Sequence, residues 1–313
     1  MNAVVTKPRL GFLGVGWIGR HRLEAVAASG SADVVGVADP AFDDCLDSLD
    51  DLLELDLDAV VIATPSALHA EQAIAALDVG RAVFCQKPLA RTAAETRRVV
   101  DAARRADRLL GVDLSYRWVE AVRRVCDLVR TGALGDVYAA DLVFHNAYGP
   151  DRDWFYDPEL AGGGCVIDLG IHLLDLLLWA LPGARVVDVA SSLRLEPVER
   201  YASAQLELDT GAIARLACSW LLPAGRDCVV EASFYGTNGG ASVRNVGGSF
   251  FDFVAERFDG TSATVLAEPP DDWGGRAIVD WARRLGAGER FDTASEQLVH
   301  LADVVDRIYG RAR

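Results

Sequence analysis

The sequence predicts an α/β protein with two domains, one built on a doubly wound parallel sheet and one whose consecutive strands are mostly antiparallel. In the first third, short apolar runs alternate with amphipathic segments long enough to form helices, as successive βα units require. Later strand-like runs are joined by tight turns such as Asp209-Thr210-Gly211, which indicates antiparallel neighbours. The 313 residues also exceed the roughly 250–300 at which one hydrophobic core stops growing, so two domains are expected.

The first domain is expected to span residues 1–118 and the second residues 119–313. The continuously apolar run Ala59-Val60-Val61-Ile62-Ala63 is typical of a parallel strand buried on both faces. Only a short helix fits between Asp39 and Asp58, so the second crossover is predicted to be abbreviated. The predicted elements of this domain are strands at 9–14, 33–38, 58–63, 82–85 and 109–114 and helices at 18–29, 49–55, 67–79 and 93–106.

The second domain is predicted to open with a helix and then to alternate loops with strands. A loop rich in glycine, proline, aspartate and aromatic residues follows its first strand, and a buried helix begins near Cys165. The predicted elements are helices at 120–130, 271–285 and 295–309 and strands at 137–144, 185–195, 201–208, 212–220, 228–235 and 250–255.

Composition excludes several classes of function. A formal charge of −15 argues against nucleic acid or an anionic membrane as partner, because either would need a basic face. The six cysteines form no CxxC pair, which argues against a zinc site or a disulfide framework and indicates a reducing, cytoplasmic location. The most apolar helical stretch, near 173–181, contains Asp175 and is shorter than the ~18 residues of a membrane span.

The loop Gly14-Val15-Gly16-Trp17-Ile18-Gly19 matches the GxGxxG pattern of dinucleotide-binding Rossmann domains. It follows an apolar strand and opens a helix, and Asp39 ends the next strand, where it can bind ribose hydroxyls. The glycines allow the backbone to approach a pyrophosphate held at the helix N-terminus. Asp39 is followed by Pro40 and not by arginine, which favours NAD over NADP. The alternative is a tight turn that merely needs glycine.

Lys87 is unusual in a chain that uses arginine almost everywhere. Of the 31 basic residues only Lys7 and Lys87 are lysines, so the remaining 29 are arginines, and Lys7 lies in the N-terminal tail. Arginine is never deprotonated in proteins, whereas a partly buried lysine can change its protonation state. The position of Lys87 at the end of an apolar run therefore indicates proton handling.

A polar stripe interrupts the apolar helix that follows Gly162-Gly163-Gly164. Asp168, His172 and Asp175 fall at positions i, i+4 and i+7 and share one helix face. Because charged groups cannot be buried without partners, something must satisfy this stripe. A structural polar cluster, a metal site through the aspartate and histidine, and a general acid or base pair all remain open; no third metal ligand is evident.

These motifs together resemble the Gfo/Idh/MocA family of nicotinamide-dependent oxidoreductases. The resemblance covers nearly the whole chain. It rests on the glycine loop, on Ala63-Thr64-Pro65-Ser66-Ala67-Leu68-His69, on Lys87-Pro88, and on Gly162-Gly163-Gly164 followed by Asp168 and His172. Members commonly read Glu-Lys-Pro where this chain reads Gln86-Lys87-Pro88, and the region after Asp39 is shorter than usual.

The resemblance implies hydride transfer between nicotinamide and a carbinol or ketone carbon of a sugar, cyclitol or sugar derivative. It implies that Lys87 lies near the nicotinamide ribose and the substrate hydroxyl, and that Asp168 and His172 handle the proton. Thr64, Pro65, His69 and Gln86 would then line the cofactor site. The resemblance also implies a C-terminal α/β domain with a large, open, mostly antiparallel sheet, and a homodimer or homotetramer formed through that sheet. Two alternatives are reduction of a non-sugar carbonyl or imine and a catalytically silent NAD-binding regulator.

Further candidates for contact with a small sugar or polyol are aromatic or polar residues near predicted strand ends and in the aromatic loop. Tryptophan and tyrosine offer a flat apolar face with a hydrogen-bond donor, which suits a pyranose or cyclitol ring. Simple packing or a solvated loop is an equally good interpretation of each. The candidates are Tyr116, Arg117, Asn146, Trp154 and Tyr156.

Overall fold

The structure is a computed structural model that describes residues 7–195 and 197–311. Strands and helices alternate from the N-terminus, as the apolar periodicity predicts. The elements are β1 (Arg9–Leu13), α1 (Trp17–Ser29), β2 (Asp33–Ala38), α2 (Leu49–Leu53), β3 (Ala59–Ile62), α3 (Ser66–Asp78), β4 (Ala82–Cys85), α4 (Ala93–Ala106) and β5 (Leu110–Val112).

Strands dominate the rest of the chain. A π-helical turn at Val166–Gly170 leads into the buried helix. The elements are α5 (Glu120–Arg130), β6 (Val137–Asn146), α6 (Pro158–Ala161), α7 (Ile171–Ala180), β7 (Val186–Leu195), β8 (Glu199–Leu208), β9 (Ile213–Ser219), β10 (Cys228–Gly236), β11 (Gly239–Asn245), β12 (Phe253–Asp259), β13 (Ser262–Ala267), α8 (Arg276–Gly286) and α9 (Gln297–Ile308).

The first sheet is parallel and has the strand order β2-β1-β3-β4-β5. All residues of β3 and β4 are buried, which explains their uninterrupted apolar sequences. The direction of winding reverses between β1 and β3, so loops at their carboxyl ends diverge and leave space for a ligand. The predicted doubly wound sheet is confirmed.

The abbreviated second crossover is also confirmed, because only the five-residue α2 lies between β2 and β3. Two glycines allow this short helix to pack closely. A Cβ at Gly11 would lie 2.9 Å from Leu52 Cγ, and one at Gly36 would lie 2.4 Å from Leu55 Cδ1. Leucines from the short segment therefore occupy the volume that side chains on β1 and β2 would fill.

The second sheet has the order β13-β12-β11-β10-β6-β9-β8-β7. Its neighbours pair antiparallel except for β6 and β9, which run parallel. Along β6, Ala140, Leu142 and Phe144 are buried, whereas the residues between them are partly exposed. One face of the sheet therefore packs on the core, and the predicted large, mostly antiparallel sheet is confirmed.

The chain divides into two compact units, and its C-terminal region belongs to both. The first unit holds the described residues up to Ser115 together with Gly274–Ala302, and the second holds Tyr116–Trp273 and the residues from Asp303. The sequence-based boundary at 118/119 assigned all of the C-terminal region to the second domain. The structure instead assigns α8 to the first unit, because Trp281 of α8 packs on Phe84 of β4 with ring centroids 5.4 Å apart.

The segment Pro158–Ala180 is the most apolar helical region of the described chain. Its 23 residues and mean hydropathy of 1.6 would allow it to cross a membrane by length and composition alone. However, 89% of its most apolar window is buried inside the structure, as in the core helix of a globular domain.

Candidate functional site

The glycines of the first βα turn have different steric roles. Gly14 has a φ of +87°, and a Cβ there would lie 2.7 Å from the carbonyl oxygen of Ala63. A Cβ at Gly19 would lie 2.2 Å from the carbonyl oxygen of Gly14. By contrast, a Cβ at Gly16 would meet no atom within 4 Å. Gly14 and Gly19 are therefore required by packing, whereas Gly16 borders open space.

The predicted acidic residue of the dinucleotide site is held by backbone amides. Asp39 Oδ2 accepts a hydrogen bond from Val15 N at 2.8 Å, and Oδ1 accepts one from Ala41 N at 3.0 Å. These bonds tie the end of β2 to the glycine loop. Since each carboxylate oxygen can accept more than one hydrogen bond, Asp39 retains capacity for ribose hydroxyls.

The start of α1 fits a dinucleotide phosphate. Gly16 provides no side-chain cap for this 13-residue helix, so the first backbone amides can bind an anion. Trp17, the first helical residue, is 74% exposed, and Ile18 is half-buried beside it. The open position at Gly16, the helix N-terminus and Asp39 together match what NAD or NADP requires.

The loop after β3 is joined to the loop after β4 by a histidine. His69 is 1% exposed, and its Nδ1 and Nε2 lie 2.7 Å from the carbonyl oxygens of Pro88 and Thr64, respectively. Burial lowers the pKa of His69; its two backbone carbonyl contacts act in the opposite direction, and the charge of Lys87 lowers it further. His69 therefore connects the two loops beside Lys87, and the predicted contact with a cofactor remains a prediction.

The other residues predicted at this edge occupy the expected strand ends. Pro65 precedes the first residue of α3, and Thr64 Oγ1 donates to Gln72 Oε1 at 2.6 Å. Lys87 is half-buried two residues after the end of β4. The side chain of Gln86 is buried and donates from Nε2 to Asp113 Oδ2 at 2.6 Å. Gln86 is thus joined to a buried carboxylate that the sequence did not identify as part of the site.

In the second unit, Asp168 lies within the π-helical turn that precedes α7. Such turns occur frequently at functional sites, because the extra residue per turn re-aims side chains. Trp220 Nε1 donates to Asp168 Oδ2 at 3.0 Å. The buried imidazole of His172 meets the ring of Tyr116 edge-on, with centroids 4.9 Å apart. The structure therefore places Asp168 in a hydrogen bond to an indole and His172 in an aromatic cluster.

The third member of the polar stripe has a different partner. Asp175 Oδ2 accepts from Arg117 Nε at 2.8 Å, and Arg117 Nη2 donates to Asp175 Oδ1. The same guanidinium lies 5.7 Å from the ring centroid of Trp179. This arrangement satisfies the buried Asp175 carboxylate within the second unit, as a structural polar pair does. A substrate contact for Arg117 remains a prediction.

The other substrate candidates lie in two groups. Tyr116 is buried against Phe144, Phe253 and Trp273, and burial raises the pKa of its hydroxyl. Asn146 ends β6, and its buried Oδ1 has no hydrogen-bond donor among the residues that the structure describes. That amide oxygen therefore remains able to accept a hydrogen bond from a ligand or water.

The aromatic loop is connected to the Asp168 region. Trp154 stacks on Phe155 at 3.9 Å between centroids, and Tyr156 Oη donates to the carbonyl oxygen of Pro150 at 3.1 Å. The Tyr156 ring meets Trp220 edge-on at 5.7 Å. Since Trp220 also donates to Asp168, it joins the loop to the predicted proton-handling group.

Glu199 is a supporting residue that the sequence did not reveal. It is 1% exposed, and its carboxylate accepts from Gly164 N and Val166 N at 2.9 Å and from Tyr309 Oη at 2.7 Å. A Cβ at Gly163 would lie 2.1 Å from Tyr309 Oη. The glycines before the π-helical turn therefore make room for a buried carboxylate and tyrosine that hold its start.

Metal chemistry has no cluster of protein ligands to support it in the described part of the chain. Among residues 7–195 and 197–311, no group of three or more histidine, cysteine, aspartate or glutamate side chains could hold a metal ion.

Two family models match the chain. One, described as an oxidoreductase family with an NAD-binding Rossmann fold, matches residues 8–114. The other, described as the GFO/IDH/MocA C-terminal domain, matches residues 122–242. The first contains the glycine loop and Lys87, and the second contains Asp168 and His172.

Curated relatives include sugar dehydrogenases. D-glucoside 3-dehydrogenase of Escherichia coli is 29% identical over 211 residues, which are 61% of this chain. The match spans only 60% of the length of that relative. D-xylose 1-dehydrogenase (NADP(+)) 2 of Haloferax volcanii is 31% identical over 301 residues, covering 93% of this chain and 90% of the relative.

The fold is also that of solved structures. The crystal structure of a 3-ketoreductase from Actinomadura kijaniata, in complex with NADP and TDP-benzene, superimposes with a TM-score of 0.85. The superposition covers 98% of each chain at 24% sequence identity.

Proposed function

Because the chain belongs to the GFO/IDH/MocA oxidoreductase family, we propose that it is an NAD(P)-dependent dehydrogenase or reductase of sugar-like substrates. The reaction is hydride transfer between nicotinamide and a carbinol or ketone carbon of a sugar, cyclitol or sugar derivative. The two relatives above are named for the oxidation of a glucoside and of xylose, which supports this substrate class. Asp39 followed by Pro40 favours NAD, whereas the xylose dehydrogenase is named for NADP.

The glycine loop is the observation that carries the proposal. Gly16 is the one glycine of the three whose missing side chain is not explained by protein packing, since a Cβ there would enter open space. Close approach of a pyrophosphate to the backbone explains it. Asp39 is held at the same loop through Val15 N.

Two side chains are assigned to the reacting group. Bound NAD(P) supplies the hydride acceptor for oxidation and the hydride donor for reduction. As a carbinol is oxidised, its hydroxyl proton leaves, and the imidazole of His172 accepts it. Lys87 donates a hydrogen bond to the same oxygen and stabilises the charge that develops there. In the direction of reduction, His172 returns the proton.

Asp168 has a supporting role in this mechanism. Its carboxylate stabilises the charged form of His172 electrostatically, and its orientation is set by the bond from Trp220 Nε1.

Purified protein incubated with NAD or NADP and a panel of sugars, cyclitols and nucleotide sugars tests the proposal by the appearance of reduced cofactor. Keto-sugars with NADH or NADPH provide the reverse assay. Lys87→Met and His172→Ala should each lower turnover by about 10²–10⁴-fold while NAD(P) binding, measured by calorimetry, is retained.

The outcomes separate the competing functions. Reduction confined to imines or non-sugar carbonyls would replace the sugar assignment by another substrate class. Tight NAD(P) binding with no turnover of any compound would indicate a regulatory protein. Near-normal turnover in both variants would contradict the roles given to Lys87 and His172.

We also propose that the protein forms a homodimer or homotetramer through the outer face of the second sheet. This face carries small residues such as Ala217 and Ser203 between partly exposed Tyr201 and Ile213. Asp141 and Arg215 pair across it at 2.8 and 3.0 Å, which neutralises two of its charges. Such a face of small side chains can be covered by a second copy.

Light scattering after gel filtration tests this proposal. Ala217→Arg introduces a long charged side chain on the face and should shift the protein towards the monomer. Ala28→Arg, the same change at an exposed position of α1, should leave the mass unchanged. A monomeric parent protein would refute the proposal.

A further inference from the structure

Gln86 departs from the glutamate that the family commonly places before the lysine, and the structure shows what it contacts. β4 and β5 pair in parallel with Cys85 opposite Val112, so the next residues, Gln86 and Asp113, lie side by side at the carboxyl ends. Gln86 Nε2 donates to Asp113 Oδ2 at 2.6 Å. A glutamate at position 86 would instead bring two carboxylates together in a buried place.

The carboxylate of Asp113 is held from a second side by α1. Asp113 is 2% exposed, and Arg22 Nε donates to its Oδ2 at 2.5 Å. The other oxygen, Oδ1, is buried and has no hydrogen-bond donor among residues 7–195 and 197–311. Burying an ion pair carries a desolvation penalty that the attraction between its charges often does not repay, so well-packed neutral side chains would serve a purely structural site at least as well.

The network also continues into the backbone that precedes Lys87. Gln86 N donates to the carbonyl oxygen of Ile62 at 2.9 Å, and Asp113 N donates to the carbonyl oxygen of Cys85 at 2.9 Å. Both the backbone and the side chain of Gln86 are therefore fixed at the edge where Lys87 emerges. On the other side, His69 contacts the carbonyl oxygen of Pro88.

We propose that Asp113 is a positioning residue for Lys87, acting through Gln86, whose side chain and backbone strand it holds in place at the carboxyl edge of the sheet. In this chain the carboxylate at this strand end belongs to Asp113 of the β5 end, and Gln86 supplies the donor that binds it. This inference rests on the role proposed above for Lys87.

Exchanging the two side chains tests the proposal. Gln86→Glu places two carboxylates together, and Asp113→Asn leaves Arg22 without its buried counter-charge. In the double variant Q86E/D113N, the amide of residue 113 can accept from Arg22 and donate to the new glutamate. We expect each single change to lower kcat by about tenfold or more with KM changed less, and the double variant to recover to within about threefold of the parent.

A second readout does not depend on turnover. Because Lys7 and Lys87 are the only lysines, mass spectrometry can compare their acetylation by acetic anhydride, with the 59% exposed Lys7 as internal reference. Asp113→Asn removes the carboxylate that holds Gln86, so the surroundings of the Lys87 amine should change and the ratio of Lys87 to Lys7 acetylation should shift by about threefold or more. The double variant should restore the parent ratio.

A matched control and a substitute variant complete the design. Asp101→Asn removes an exposed carboxylate of the same unit, paired with Arg104 at 2.6 Å, and should change neither kcat nor the ratio. If Asp113→Asn does not fold, Gln86→Leu removes the donor while the Arg22–Asp113 pair persists, and it should lower kcat.

The possible results separate this inference from the proposed function. The inference would be overturned if the kcat losses of the two single variants multiplied in the double variant. It would also be overturned if both single variants kept the parental kcat. Neither result would contradict the proposed function. If the parent protein turns over no compound, the proposed function is contradicted, and the acetylation ratio alone tests the inference about Asp113. A ratio that is equal in all four proteins would then overturn the inference.

Discussion

At the scale of single residues, the three glycines of the glycine loop differ in what surrounds them. Gly14 and Gly19 lack side chains because backbone carbonyls occupy the space, whereas the space beside Gly16 is open. All three glycines fit the same sequence pattern, so the pattern alone cannot distinguish them. Alanine substitutions can, because each added methyl group meets a different environment.

Gly19→Ala should lower the free energy of unfolding by about 1–3 kcal/mol, because the added Cβ would overlap a backbone oxygen. Gly16→Ala should leave it within about 0.5 kcal/mol and weaken NAD(P) binding by about tenfold or more. Chemical denaturation and calorimetric titration measure the two effects. Equal losses of stability in both variants would contradict the distinction.

His69 makes stability depend on pH. Its pKa lies below the ordinary 6.5 because burial disfavours the charged ring. Below pH 6.5 the unfolded chain therefore binds a proton that the folded chain does not, and stability falls as the pH decreases towards the lowered pKa. The partly buried His145 contributes in the same direction, since burial lowers its pKa as well.

His69→Gln should reduce this dependence. Between about pH 7 and pH 5, the melting temperature of the parent should fall more steeply than that of the variant. The reason is that the variant lacks the histidine whose pKa is lower in the folded than in the unfolded chain. His145 is present in both proteins, so the difference between the two slopes reports His69. Parallel slopes would show that His69 does not titrate in this range.

At the scale of elements, the π-helical turn depends on a partner distant in sequence. Glu199 on β8 accepts backbone hydrogen bonds at the start of the turn, and Tyr309 after α9 donates to the same carboxylate. Burial, reinforced by Glu199, raises the pKa of the Tyr309 hydroxyl, so it remains a donor. The glycines before Cys165 are visible in the sequence, but nothing near them indicates Glu199.

Glu199→Gln should lower the free energy of unfolding by about 1–3 kcal/mol, because the buried backbone N–H groups would lose a charged acceptor and one of them would face the NH₂ group of the new amide. Tyr309→Phe removes one hydrogen bond and should cost about 0.5–1.5 kcal/mol. Denaturant titration measures both changes. If both variants retained parental stability, the anchoring role of Glu199 would be refuted.

Two strands were absent from the sequence prediction, β11 and β13. β11 begins with Gly239-Gly240 and includes Ser242 and Asn245, and Val243 is its single β-branched residue, so it carries little of the pattern that marks strands. β13 is a largely exposed edge strand without an alternating pattern. Both are specified by pairing with β12, whose backbone groups they satisfy.

At the scale of the whole molecule, the first unit is completed by a segment from near the C-terminus. Gly111 faces Phe84 across the β4–β5 pair and leaves space for the ring of Trp281, whose Cδ1 would lie 2.5 Å from a Cβ at position 111. The boundary predicted at 118/119 could not include this segment, because a continuous division of the chain cannot return to an earlier domain.

Trp281→Ala should therefore destabilise the first unit by about 3–5 kcal/mol, the usual cost of truncating a buried tryptophan. Amide hydrogen exchange should accelerate in β4 and β5, although the substitution lies more than 150 residues away in the chain. Faster exchange confined to the second unit would contradict the assignment of α8.

Local patterns in the sequence determined the doubly wound sheet, the glycine loop, the short α2 and the position of Lys87, because each depends on residue spacing within one or two elements. Tertiary structure alone decided the partners: Gln86 with Asp113, Asp168 with Trp220, and Arg117 with Asp175 are separated by 27, 52 and 58 residues. Hydrogen bonds over such separations depend on how strands and helices pack, and one sequence carries no periodic signal for them.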